Sequence, residues 1–258
     1  MDTTSLDKWV PFRNESAAAR CRVFAFPHAG GNAALYQPLR RLMPPEIDFC
    51  PVELPGHAAR LNETPLTSIS AVIEQLLHIL QPLMNVPFAF FGHSVGAWIA
   101  YEATRQLRAV DGRSAVHLFV SGRDSPDRGC AAPPQRPRSN EELISILHRF
   151  GGTPPEIMQC PELLTALLPA LRADLELADR YVAHPKHCID SQITAFGGLD
   201  DVTQSGRLDS WSGLTRKKFR ICILPGDHFY FLSAPAVLAK EIVEDLRACV
   251  EMCAVSVG

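Results

Sequence analysis

The sequence predicts an α/β fold: a mostly parallel central sheet, helices on both its faces, and an inserted helical lid. Three observations lead there. Short apolar runs alternate with amphipathic segments, one glycine-flanked turn joins a strand directly to a helix, and the alternation stops over a leucine- and proline-rich stretch before resuming. The runs are Val23 to Phe26, Phe49 to Val52, Phe88 to Phe91, His117 to Val120, Ile193 to Phe196 and Arg220 to Leu224. Their length and richness in Val, Ile and Phe suit strands buried on both faces. Ile69, Val72, Ile73, Leu76, Leu77 and Leu80 recur at helical spacing, as do Val237, Leu238, Ile242, Val243 and Leu246 near the end, and both stripes should pack on the sheet. From about Asp124 to Pro185 only leucine-rich helical patterns occur, broken at Gly151-Gly152, Pro154-Pro155, Pro161 and Pro169. Within this stretch Ser139 with Glu142 forms a capping-box pattern, and Leu163, Leu164, Leu167, Leu168, Leu171 and Leu175 line a second helix. The expectation is one domain over residues 1–258, with residues 124–185 as an insertion placed to roof a site.

Composition narrows the function. With 47% hydrophobic and 21% charged residues, the 258-residue chain can bury a large core, and a formal net charge of -3 supplies no basic excess for nucleic acid. Met1 to Asn14 lacks the apolar region of a secretory signal, and apolar stretches end well short of the roughly 20 residues that span a bilayer. Cys21, Cys50, Cys130, Cys160, Cys188, Cys222, Cys249 and Cys253 are scattered without a C-x-x-C, the pattern of free thiols in a reducing, cytoplasmic setting. His184, His187 and Cys188 lie close together but lack a fourth ligand, so a solvated loop is expected, with no metal and no cofactor.

Phe90-Phe91-Gly92-His93-Ser94-Val95-Gly96-Ala97 is a G-x-S-x-G turn between an aromatic strand and a helix starting at Val95. Such a turn strains the serine backbone and lifts its hydroxyl clear, with glycines allowing the helix to approach the strand; the plainer alternative is Ser94 as a helix N-cap. A serine hydroxyl needs a base, and the base needs an anion to orient it. Of nine histidines, His228 follows a strand in Leu224-Pro225-Gly226-Asp227-His228-Phe229 and is the expected base, while His93 should point into the packing beneath the turn. Ile193-Thr194-Ala195-Phe196-Gly197-Gly198-Leu199-Asp200-Asp201 offers two acids; Asp200 is expected, three residues past the first turn residue Gly197, with Asp201 as the spare or a loop-capping carboxylate. The order Ser94, Asp200, His228 is that of the α/β-hydrolase fold. For the oxyanion of a tetrahedral intermediate, Val95 at a helix N-terminus and Ala29 in Pro27-His28-Ala29-Gly30-Gly31-Asn32 are the expected N–H donors, with His28 as scaffold.

With Phe26-Pro27-His28-Ala29-Gly30-Gly31, Leu54-Pro55-Gly56-His57, the Ser94 turn and Pro225-Gly226-Asp227-His228-Phe229-Tyr230 in this order, the chain resembles the type II thioesterases of polyketide, nonribosomal peptide and fatty acid synthases. The likeness runs from about Arg20 to Leu246, and Trp211 fits it too. It implies hydrolysis of acyl groups from the phosphopantetheine arm of an acyl or peptidyl carrier protein. Separately, the protein is expected to be a monomer. The resemblance also supports Ser94, Asp200 and His228 as a triad, and Ala29 and Val95 as oxyanion donors. Two residues depart from the family pattern: His57 stands where many relatives carry arginine, and Val95 where Met or Leu is frequent. Carrier proteins are usually acidic, so Arg123, Arg128, Arg136 and Arg138 are candidates for a docking rim. A carboxylester hydrolase or lipase on the same fold, a non-catalytic hydrolase-like binding module, and an acyltransferase are the competing readings.

Overall fold

The computed structural model describes residues 3–13, 18–128, 136–183, 188–201 and 207–255. Cys130, the first part of the proline-rich stretch, His184 and His187 lie outside them. Among the described residues the strands β1 (Cys21–Phe26), β2 (Ile47–Pro51), β3 (Phe88–His93), β4 (His117–Ser121), β5 (Gln192–Gly198) and β6 (Phe219–Leu224) form one sheet. Their spatial order is β2-β1-β3-β4-β5-β6, and every neighbouring pair is parallel. Each of the six apolar runs is one of these strands.

Side chains alternate between two cores, as a strand repeat of two requires. Phe24, Phe26, Phe88, Phe90, Leu118, Val120, Ile193 and Ala195 face one way; Val23, Ala25, Ala89, Phe91, Phe119 and Phe196 face the other. The helices are α1 (Thr3–Trp9), α2 (Gln37–Arg40), α3 (Ile69–Leu80), α4 (Val95–Asp111), α5 (Asn140–Phe150), α6 (Pro155–Met158), α7 (Pro161–Asp179), α8 (Tyr230–Ser233) and α9 (Pro235–Val255). Through Ile69, Val72, Ile73, Leu76 and Leu80, α3 joins α4 on the first face, while Leu238, Ala239, Ile242 and Leu246 of α9 cover the second. Among the described residues no helix is long and apolar enough to cross a membrane.

Between β4 and β5 the described chain is helical, as expected. The Ser139 hydroxyl accepts from the Glu142 N–H, and the Glu142 carboxylate accepts from the Ser139 N–H, completing the capping box of α5. Pro161 starts α7, but Pro169 does not break it: the helix runs on through that position. A mid-helix proline forfeits a hydrogen bond and crowds the preceding turn, and here burial of Leu168, Ala170, Leu171 and Ala173 holds the helix across it. Leu143, Leu147, Leu168 and Leu171 make a small third core that also touches Ala29, after β1. Trp211 is buried in a 3₁₀ segment, Leu208–Leu214, with its indole N–H donating to the Arg123 carbonyl.

Candidate active site

At the junction of β3 and α4, Ser94 has φ 54° and ψ −119°, a region that L-residues occupy only under strain. The surroundings impose it. The Ser94 N–H donates to the Ser121 carbonyl at the end of β4, and a Cβ on Gly92 would lie 2.0 Å from the Gly96 carbonyl oxygen. A Cβ on Gly96 would in turn lie 2.3 Å from the carbonyl oxygen of Phe26 and 2.6 Å from that of Pro27. The first turn of α4 therefore rests on the end of β1. Ser94 occupies the N-cap position of α4, but its side chain makes no capping hydrogen bond, so it does not serve as a side-chain cap. Gly96→Ala is expected to cost about 3 kcal/mol or more, because both obstacles are backbone, and to lower Tm by roughly 6 °C or more. Thermal unfolding followed by circular dichroism checks this; an unchanged Tm contradicts the close approach.

His228 is buried after β6, and its Nδ1 lies 2.8 Å from Oδ2 of Asp201, whose side chain is fully shielded. The expected partner, Asp200, is not the one His228 meets. Its side chain is exposed, and its N–H donates to the Gly226 carbonyl. The reason is where β5 ends: it continues through Gly197 to Gly198, so the turn begins later than the apolar run suggests. Leu199 and Asp200 form the outer turn, tied by their N–H groups to the carbonyls of Leu224 and Gly226, and Asp201 is the first side chain to come back inside. A Cβ on Gly198 would lie 2.1 Å from the Asp227 carbonyl oxygen, which shows how closely the two loops are packed.

The His228 ring lies 4.7 Å, centroid to centroid, from that of His93, the residue before Ser94, which brings the base candidate to the serine turn. His93 is fully buried, with Nδ1 2.8 Å from the Ser121 hydroxyl oxygen, which is itself bonded to the Tyr230 hydroxyl. Burial, then the proximity of His228, holds His93 well below the usual imidazole range and lowers His28 to about 3. Both are neutral supports at physiological pH. His28 packs edge-on against Phe229, with centroids 4.7 Å apart, consistent with a scaffold.

Val95 is the first residue of α4, where N–H groups have no partner within the helix. Ala29 follows β1 in the loop beneath that turn. Gly31 N–H donates to the His28 carbonyl at 2.9 Å, and Gly30, at φ 74°, donates its N–H to Asp174 of α7 at 2.7 Å. Sequence reasoning missed Asp174; its one signal is an acid set in a leucine-rich helix. The α5–α7 segment reaches both the base candidate and the Ala29 loop. The Phe150 ring, ending α5, lies 5.9 Å from His228, and Leu171 would be 3.3 Å from a Cβ on Gly30. Of the rim arginines, Arg136 bonds to Glu142, Arg138 to Asp179, and Arg123 lies over Trp98 at 3.8 Å; the Arg128 side chain lies outside the described ones.

The thioesterase domain family model matches residues 21–248. Gramicidin S biosynthesis protein GrsT of Aneurinibacillus migulanus is 37% identical over 246 residues, covering 95% of this chain and 96% of that protein. The medium-chain S-acyl fatty acid synthase thioesterase of Homo sapiens is 29% identical, over 92% of this chain and 90% of that one. Among solved structures, the type II thioesterase BorB from the borrelidin biosynthetic cluster superposes with a TM-score of 0.84 at 31% identity, covering 93% of this chain and 98% of BorB. Matches of this extent, on a parallel sheet carrying a strained serine at the end of its central strand, mean that the chain belongs to the thioesterase family of the α/β-hydrolase fold, among its type II members.

Proposed function

We propose that this thioesterase hydrolyses acyl groups from the phosphopantetheine arm of acyl or peptidyl carrier proteins through an acyl-enzyme on Ser94, serving a polyketide, nonribosomal peptide or fatty acid synthase. One observation carries the reading: His228, oriented by buried Asp201, lies against the turn that presents Ser94. In this scheme His228 takes the Ser94 proton as the oxygen attacks the thioester carbonyl. The N–H groups of Ala29 and Val95 stabilise the oxyanion, and the protonated imidazole passes its proton to the departing pantetheine sulfur. Water then repeats the sequence on the acyl-serine. Asp201, taking the place expected for Asp200, holds the imidazole tautomer and offsets the charge that forms. The segment of α5 to α7 serves as the lid, since its side chains already border His228 and the Ala29 loop. The names of the relatives, in gramicidin S and borrelidin biosynthesis, support carrier-bound substrates.

Rapid mixing with acyl-loaded carrier, read by intact mass, should trap acyl on Ser94. kcat/KM for the carrier thioester should exceed that for a matched oxyester by on the order of tenfold or more. Absence of the adduct overturns the mechanism, and preference for the oxyester points instead to a carboxylester hydrolase.

A further inference from the structure

Helix α7 reaches the site through a polar contact that the scheme above does not use. Asp174, buried at 3% exposure, accepts on Oδ2 from the Gly30 N–H at 2.7 Å and from His57 Nε2 at 2.9 Å. His57 is buried as well, and its Nδ1 lies 3.1 Å from the Pro55 carbonyl oxygen. A carbonyl only accepts, and Asp174 accepts here, so both ring nitrogens donate and His57 is an imidazolium. Burial opposes that charge, but the attraction and hydrogen bond of Asp174, the Pro55 carbonyl and nearby Glu53 raise the His57 pKa to about 9.

The consequence falls on Ala29. A trans peptide points its C=O and N–H in opposite directions, so the Gly31 N–H that holds the His28 carbonyl also aims the Ala29 N–H, which shares that peptide unit. The next peptide is held by Asp174 through Gly30, and Leu171 of the same helix covers that glycine. Two successive peptide planes are thus fixed, one of them by a side chain 144 residues away.

We propose that Asp174 and His57 are positioning residues for the oxyanion hole: their buried ion pair anchors Gly30, aims the Ala29 N–H at the thioester oxygen, and makes the hole depend on the seating of α7. The proposal rests on the acyl-enzyme reading above. The charged and titratable groups facing His57 are Asp174 of α7, Glu53 after β2 and His28 after β1. Raised from 6.5 to about 9, His57 contributes stability that is complete below about 6.5 and is lost as pH rises through about 9.

The test compares wild type, Asp174→Asn and His57→Gln on an acyl-pantetheine thioester, with an acyl trifluoromethyl ketone as probe of the tetrahedral state. Both variants should lower kcat roughly 10- to 100-fold with KM within about twofold, ketone affinity should fall in parallel, and the double variant should be little worse than either single one. Exchange of the Gly30 amide should quicken in Asp174→Asn. If kcat and ketone affinity hold while only Tm drops, the pair is merely structural and the proposal fails. Should the variants not fold, the wild type carries the test: the ¹⁵N resonances of His57 and kcat should titrate together near pH 9, and kcat that stays level while His57 deprotonates overturns it. Fluorophosphonate labelling of wild-type Ser94 separates the two failures. Without labelling the acyl-enzyme reading falls, and the proposal with it; with labelling and unimpaired variants, only the positioning role falls.

Discussion

Replacing Ser94 with alanine is expected to lower kcat on a carrier-bound acyl thioester by about 10⁴- to 10⁶-fold. On the proposed mechanism this removes the nucleophile and leaves the proposed oxyanion donors in place, so the residual rate measures what they achieve with water alone. The substitution is conservative for the fold. The Ser94 side chain makes no cap bond, and the strained φ of 54° is set by neighbours that remain in place. Discontinuous hydrolysis assays with intact-mass readout of the carrier check the rate. Near-normal turnover by Ser94→Ala contradicts the assignment of the nucleophile.

The second large effect separates two adjacent carboxylates. Asp201→Asn should lower kcat by about 10⁴-fold, because a neutral amide facing His228 Nδ1 favours the wrong tautomer and leaves the developing imidazolium without its counter-charge. Asp200→Asn alters an exposed side chain on the outer turn and should change kcat by no more than about threefold. Steady-state kinetics of the two variants, each with Tm measured, are sufficient. The reverse ranking restores Asp200 and rejects the Asp201 geometry.

Much of this was legible because the signals are local. A strand buried on both faces has to be apolar along its length, so six short runs locate six strands within a residue or two at most ends. The serine turn is read from its own residues: Gly92 is required by a contact within the motif, although Gly96 is required by the distant end of β1, and His228 follows its strand through a Pro-Gly turn. The capping box of α5 reads directly from Ser139 and Glu142. Pro169 misleads, because proline weakens a helix that tertiary burial then sustains.

What the amino-acid order determined by itself is therefore the sheet, the serine at its turn, the histidine after the last strand and the family they belong to. Tertiary structure alone decided that Asp201 rather than Asp200 meets His228, because β5 gains two residues through its ladder with β6, where Gly197 and Gly198 pair with Ile223 and Leu224. It alone joined His57 to Asp174, partners 117 positions apart, and so set the charge of a histidine that the sequence marks only as a departure from the arginine of many relatives. The physical reason is the same in both cases. Periodicity and turn chemistry act over a few residues, whereas the direction of a carboxylate and the proton on a buried ring depend on which distant groups the packed chain brings within hydrogen-bond reach.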